Sequence, residues 1–429
     1  MLKAGFSRID ITPPLGTPLA GYFYDRFAKG ILDPLSVNAI AMNDGENTAI
    51  MVAVDALGIT TPYADKIRDM IVERTGVDKD HVIVAALHQH TSVRIADPSI
   101  RSSLTDTAFL DVLYRKIADS ALLAVNDMAE ATVETADKET AEPISFVRRF
   151  LMKDGTCETN PSSRKIPDIV RPLGDADNTV RLLRFKREGK KDIALVNFST
   201  HPDVISGEMI SADWPGFVRR FVEEDIKGAN CIFFTGVQGD TNHCDRINGL
   251  RGGYTHSEFM GRTIADAVVD IWDKTVPVKA DRINSHFTYV YNKTRTDGAE
   301  RYEQCKTFLE AYERGEFEKK PHITVLADAQ RVVKMRYERI YQQLPLTVIN
   351  VGDISFVGFG GEPFTKYGQI ARDTAPERRV ISICCANGYA NYIPAASAFK
   401  EGGYEASSAC YTPEVEAQIA EALGKMIGK

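Results

Sequence analysis

The 429-residue chain has no apolar run approaching the roughly 20 residues that a bilayer-spanning helix needs, so no integral membrane segment is expected. Its opening, Met1 to Arg8, lacks the apolar centre of a secretory signal. It also lacks Pro/Ser-rich tracts, low-complexity segments and any visible internal repeat. No basic stripe interleaved with aromatics is present, which argues against nucleic acid as a partner. The 52 basic and 59 acidic residues leave a net charge of −7, ordinary for a water-soluble protein. Seven cysteines, an odd number without framework spacing, exclude a disulfide scaffold and favour a reducing compartment, so the cytoplasm is the expected location. The vicinal Cys384-Cys385 reads as a pair of buried core thiols. Gly358 to Gly361 is not followed by Gly-Lys-Ser/Thr and is no phosphate loop. Asp175-Ala176-Asp177-Asn178 lacks the glycine and terminal glutamate of a calcium loop.

What is present is an alternation of short apolar runs and amphipathic stretches. Thr48 to Asp55 and Val82 to Leu87 read as buried strands, separated by a helical pattern from Ala64 to Arg74 that stops at Gly76. A long amphipathic helix is expected from about Ala108 to Met128. Asn178 to Phe185 and Asp192 to Phe198 flank Arg187-Glu188-Gly189-Lys190 and predict a hairpin. Helices follow at Trp214 to Ile226, with Pro215 in the first turn, and at Tyr254 to Trp272, with the strand Cys231 to Phe234 between them. Residues 298–343 are highly charged and read as a helical excursion, and Pro413 to Ile427 as a terminal helix. The order β-α-β-α predicts an α/β fold, a mixed sheet or sheets covered by helices. The absence of a linker favours one catalytic domain over residues 1–429.

The chemistry gathers where strands end. His88-Gln89-His90 follows Val82 to Leu87, and His201 follows Val196 to Thr200. Glu362 follows Ile354 to Phe359 and Gly360-Gly361, while Tyr392 lies beyond Val380 to Cys385. A lone histidine at a strand end ordinarily serves structure. Two at i and i+2 share one face of an extended strand, and with His201, Glu362 and Tyr392 they form an N/O donor set suited to a catalytic Zn²⁺. Strand C-termini are also where open α/β sheets place their sites. His201 precedes Pro202-Asp203, which forces a turn there. His81, His256, His286 and His322 stand in charged or helical surroundings and are expected at the surface.

Several of these segments, taken in order, resemble the neutral ceramidase family and its shorter bacterial relatives. They are Ala4 to Pro14, Leu19 to Tyr22, Leu87-His88-Gln89-His90-Thr91-Ser92, His201-Pro202-Asp203 and Ser211 to Gly216. Gln238-Gly239-Asp240, Gly361 to Thr365, Ala386 to Tyr392 and Tyr404-Glu405 complete the series, which spans nearly the whole chain. The resemblance implies zinc held by His88, His201, Glu362 and Tyr392, and hydrolysis of an amide between a fatty acid and an amine. It implies that His90 and Tyr404 contact the scissile carbonyl, and that an arginine in Phe146 to Phe150, Arg148 in preference to Arg149, serves the site. Two departures matter. The family has a serine in Gly-Asp-Val-Ser-Pro-Asn where this chain reads Gly239-Asp240-Thr241-Asn242-His243. The family's C-terminal β-sandwich has no counterpart in the sequence, so a smaller, more polar amide or a related ester is expected as the small-molecule substrate.

In the expected mechanism zinc generates the nucleophile from water, which makes the missing serine tolerable. His90, Arg148 and Tyr404 would stabilise the oxyanion, Asp240 would orient His88 or His201, and Asn242 and His243 would face the substrate. Other classes stay open: a metal-dependent lyase or epimerase, a non-catalytic protein with a structural metal, and, more remotely, a hydrolase using Cys244 beside His243. The sequence specifies no oligomeric state.

Overall fold

The computed structural model describes residues 1–95, 106–249, 252–336 and 340–428. Eight strands form the main sheet: β1 (Lys3–Asp10), β2 (Ser36–Asn43), β3 (Thr48–Val54), β4 (Val82–Ala86), β5 (Ala129–Glu139), β6 (Thr179–Arg187), β7 (Asp192–Phe198) and β8 (Ala229–Thr235). Their order is β8-β7-β6-β5-β1-β2-β3-β4, and the short strand Val276–Pro277 pairs with β5 as a ninth. Only the outer pairs, β7–β8 and β3–β4, are parallel. A second sheet orders β9 (Ile283–Lys293), β10 (Tyr341–Val351), β11 (Ile354–Phe359) and β12 (Arg379–Ile383) side by side, with β11–β12 parallel. The fold is thus α/β with mixed sheets, as the alternating pattern predicts.

One arrangement occurs three times: a hairpin whose second strand crosses through a helix to a parallel neighbour. It comprises β2-β3, α1 (Thr61–Thr75) and β4; then β6-β7, α3 (Asp213–Asp225) and β8; then β10-β11, α7 (Thr365–Thr374) and β12. Each is followed by a further helix: α2 (Thr107–Asn126), α4 (Tyr254–Ile271) and α8 (Val415–Met426). Residue identities do not repeat between the units, so the repetition is invisible to a reading of the sequence. Parallel strands buried on both faces read as continuous apolar runs, and β4, β8 and β11 do so.

Packing sets where the strand ends meet. Trp214 at the start of α3 is fully buried, edge-on to Phe198 of β7 and Phe233 of β8 at 5.9 and 5.1 Å between ring centres, which seats α3 across that parallel pair. The end of β12 docks on the ends of β4 and β8: Cys385 O accepts from Ala86 N–H, and Cys384 N–H donates to Thr235 O. Gly239 has no Cβ for a reason of space, since one would lie 2.4 Å from Glu362 O. The C-terminal ends of three parallel pairs therefore face one another.

The charged excursion is two helices, α5 (Gly298–Glu313) and α6 (Ile323–Met335), with residues 337–339 outside the described part. Tyr341, Gln342 and Gln343 belong to β10 instead, a correction to the helical expectation for the end of that stretch. The pair has a small core of Cys305, Leu309, Leu326, Ala329, Val332 and Val333 and packs on Phe23. Arg331 and Arg295 tie it to the short helix Tyr404–Ser408 through Ser407 O and Ala406 O, at 3.1 and 2.6 Å.

Candidate metal centre

β4 ends at Ala86, and His88 takes the left-handed φ of +76°, so the two histidines do not share a strand face as i and i+2. They converge through a turn instead. Between them Gln89 points inward and donates to Asp55 Oδ1 at 2.7 Å, and the Nε2 atoms of His88 and His90 come within 3.4 Å. A bulky residue at positive φ stores strain, which buried hydrogen bonds on both sides hold in place here.

Each inner imidazole is fixed by a backbone carbonyl. His88 Nδ1 meets Leu57 O at 2.6 Å, and His201 Nδ1 meets Gln238 O and Thr241 O at 2.9 and 3.1 Å. A carbonyl only accepts, so the proton sits on Nδ1 in both rings and Nε2 of the neutral ring is a lone pair. Those lone pairs face one carboxylate oxygen: Glu362 Oε2 lies 3.2 Å from His88 Nε2 and 2.9 Å from His201 Nε2. His201 Nε2 and Glu362 Oε2 are nonetheless buried without a hydrogen bond. Burial and the nearby Arg148 charge bring His201 down to about 4, which keeps the ring neutral. Three buried acceptors aimed at one point, with no proton among them, fit a cation. The ring nitrogens of His88, His90 and His201 lie within 4.8 Å of one another, a group able to hold a metal ion. Burial, with His88 and His201 alongside, lowers His90 well below its usual value.

The tyrosine that touches Glu362 is Tyr389, which donates to Oε1 at 2.6 Å. Tyr392 stacks on His201 with ring centres 6.2 Å apart, and its hydroxyl is shared with Arg148 and Tyr404. Burial raises Tyr392 well above the usual phenol value and, with Glu362, pushes Tyr404 up to about 12. Of the two arginines, Arg148 lies over the Tyr392 ring at 5.2 Å and donates to Gly239 O at 2.9 Å. Arg149 turns away to Glu401 and Gly402 O, at 3.0 and 2.9 Å. Both reach the fully buried Glu405, whose Oε1 is 2.7 Å from Arg148 Nε and whose Oε2 also accepts from Thr159. Burial opposes the Arg148 charge, but Tyr392 and Glu405 raise it above the ordinary guanidinium value.

Other expected site residues have different partners. Asp240 does not orient an imidazole, because the Nδ1 positions are taken by carbonyls. Its carboxylate accepts from the Thr365 N–H and hydroxyl at the start of α7, at 2.8 and 3.0 Å, and burial pushes it up to about 6. Asn242 is engaged in loop structure, donating to Asn160 and accepting from Cys244 N–H, both at 3.0 Å. His243 packs near His256, with ring centres 5.8 Å apart, and sits 3.2 Å from Cys244 Sγ. Burial raises the Cys244 thiol, the opposite of what a nucleophile needs. Of the histidines expected at the surface, His322 is exposed, whereas His81, His256 and His286 are half-buried.

Tyr389, which meets Glu362, and Glu405, which meets Arg148, escaped the sequence reading as site residues. Both lie inside segments that carry the family resemblance, so their position in those segments was the available signal.

No family model matches the sequence, and no curated protein does. Fold and cluster define a mixed α/β protein with an N/O ligand group at converging strand ends. The solved neutral ceramidase from Pseudomonas aeruginosa aligns with a TM-score of 0.76 at 17% identity, over 99% of this chain and 74% of that one. A ceramidase complexed with C2 gives 0.74 at the same identity and coverage. The chain has a ceramidase-like fold.

Proposed function

We propose that this protein is a zinc-dependent hydrolase that cleaves an N-acyl amide bond of a small or amphiphilic substrate. The carrying observation is the convergence of His88 Nε2, His201 Nε2 and Glu362 Oε2 on one buried point, each without a proton to share. Two imidazoles and a carboxylate suit zinc and leave room for water, and Tyr392 beside His201 is assigned as the fourth protein ligand. Zinc held there supplies Lewis-acid polarisation of a carbonyl and a water of lowered pKa. The ceramidase-like fold supports amide chemistry in particular.

The remaining groups suit the carbonyl side of that reaction. Arg148 is held charged and Tyr404 protonated, so both stay donors at neutral pH. Aimed at a developing oxyanion, such a donor lowers the barrier by roughly 2.7–4 kcal/mol. Pre-organisation comes from Glu405, which fixes Arg148 before substrate arrives. Among the described residues no helix is long and apolar enough to cross a membrane. All seven cysteines are thiols, which supports a reducing, cytoplasmic setting.

The test is turnover of a panel of N-acyl amides by zinc-loaded protein in ¹⁸O-labelled water. Hydrolysis places solvent oxygen in the released acid. Product without label supports a lyase or epimerase and overturns the reading, as does failure to turn over any amide.

A further inference from the structure

We infer that Phe23 limits the size of the acyl group that the site accepts, by closing the way from Tyr404 into the apolar core of the α5–α6 pair. The inference rests on the hydrolase reading, with Tyr404 against the scissile carbonyl. It adds which part of the substrate is selected, and by which residue. Two rings flank that of Tyr404. Tyr392 stands edge-on to it on the side of the metal ligands, with ring centres 5.5 Å apart, and Phe23 stands edge-on at 6.2 Å. Phe23 in turn packs on the core of α5 and α6, where Leu309 and Val332 are 2% and 5% exposed. A line of contacts thus runs from the ligands through Tyr404 and Phe23 to a packed apolar interior.

The chemistry around the carbonyl leaves this direction to the apolar part of a substrate. Arg148, Glu405 and Glu362 all lie close enough to act on the Tyr404 hydroxyl. Tyr22, next to Phe23, turns to Asp203 instead and donates to its Oδ1 at 2.9 Å. An acyl chain laid against such groups strips them of water, whereas against Phe23 it takes only apolar surface out of water. The ring is also held from both sides. Arg26 lies 4.0 Å over the Tyr22 ring, and Lys320, between α5 and α6, lies 5.9 Å over the Tyr24 ring. Arg331 and Arg295 bond Ser407 O and Ala406 O, which joins the helix pair to the short helix that begins at Tyr404. Phe23 is therefore a fixed wall. Methylenes forced into space already packed cost affinity, so a chain long enough to reach the ring binds less well than a short one.

The test measures kcat/KM on zinc-loaded protein for amides of one amine, with acyl groups from acetyl to dodecanoyl. Wild type should favour the short acyl groups. Phe23→Ala should raise the octanoyl-to-acetyl ratio roughly 10-fold or more, the scale on which an apolar pocket separates chains that differ by methylenes. Phe23→Trp should lower that ratio. Because a ratio is read, a general loss of active protein in either variant cancels. A wild type that prefers long chains, or a Phe23→Ala ratio equal to that of wild type, overturns the inference. A second measurement needs neither metal nor turnover. An apolar cavity left by truncation stays dry and takes up benzene, so benzene should raise the Tm of metal-free Phe23→Ala and leave wild type unmoved. No rise in the variant overturns the assignment. If wild type cleaves no amide while benzene stabilises the variant, the hydrolase reading fails and the acyl role with it, whereas the apolar space behind Phe23 stands.

Discussion

Asp55 and Arg219 form a fully buried bidentate pair, with guanidinium nitrogens 3.0 and 2.7 Å from the two carboxylate oxygens. Asp55 stands at the end of β3 in the first repeated unit and Arg219 in α3 of the second. Because Asp55 also accepts from Gln89, the pair fixes the turn between His88 and His90. Removing one partner of such a pair leaves an uncompensated buried charge, at a cost of about 3–5 kcal/mol. Arg219→Ala should lose stability of that order in urea unfolding and bind zinc more weakly than wild type. Unchanged zinc affinity in the folded variant would separate the pair from the site.

The two adjacent arginines should divide their effects. Arg148→Ala removes a donor beside Tyr392 and should lower kcat roughly 100- to 1,000-fold with zinc retained. Arg149→Ala breaks contacts to Glu401 and Glu405 away from the ligands and should act mainly on the unfolding midpoint. Parallel steady-state kinetics and denaturation on both variants check this, and equal kinetic losses would refute the division.

Acid stability should depend on Asp127, which joins β1 to the β6–β7 hairpin by accepting from Phe6 N–H, Arg187 and Lys190. Burial raises its pKa, but those donors outweigh it and hold the carboxyl below its ordinary value. Its folded pKa therefore lies below the unfolded one. The stabilisation is complete above the unfolded value and is lost as pH falls through the folded value. Asp127→Asn should flatten the acid limb of a stability-against-pH curve measured by urea unfolding. An unaltered limb would rule the contribution out.

Metal should stabilise the fold by an amount that grows with the logarithm of its free concentration over its Kd. A ligand that binds only the native state at 100 times its Kd adds about 2.7 kcal/mol. Zinc should raise the Tm of chelator-treated wild type and leave His201→Ala unmoved. A matching rise in both would place the binding elsewhere.

Much of this was legible from residues alone. The apolar runs ending at His88, His201 and Glu362 are strands buried on both faces, and such strands announce themselves as continuous hydrophobic stretches. The hairpin around Gly189 and the helix opened by Pro215 follow from local rules in the same way. β9 and the first half of β10 were not legible. Their half-buried faces alternate polar and apolar residues next to charged helices, and Tyr341-Gln342-Gln343 continues that polar pattern. The threefold repetition was hidden because it lies in strand order and crossover, which no residue identity records.

At the site, donor types could be named from strand ends, but which atom meets which depends on turns. Gln89 bonding Asp55 and the positive φ of His88 decide how the imidazoles approach. Asp240 looked like an orienting carboxylate from its place in the loop after β8, yet the start of α7 takes its oxygens. Glu405 meets Arg148 across a large separation in sequence, which the spacing within either segment does not record.

The central claim is that His88, His201 and Glu362 hold one metal ion. Elemental analysis of wild type and His201→Ala, purified without added metal or chelator, tests it most directly. About one zinc per wild-type chain, lost from the folded variant, is the predicted result. Equal zinc in both proteins would contradict it.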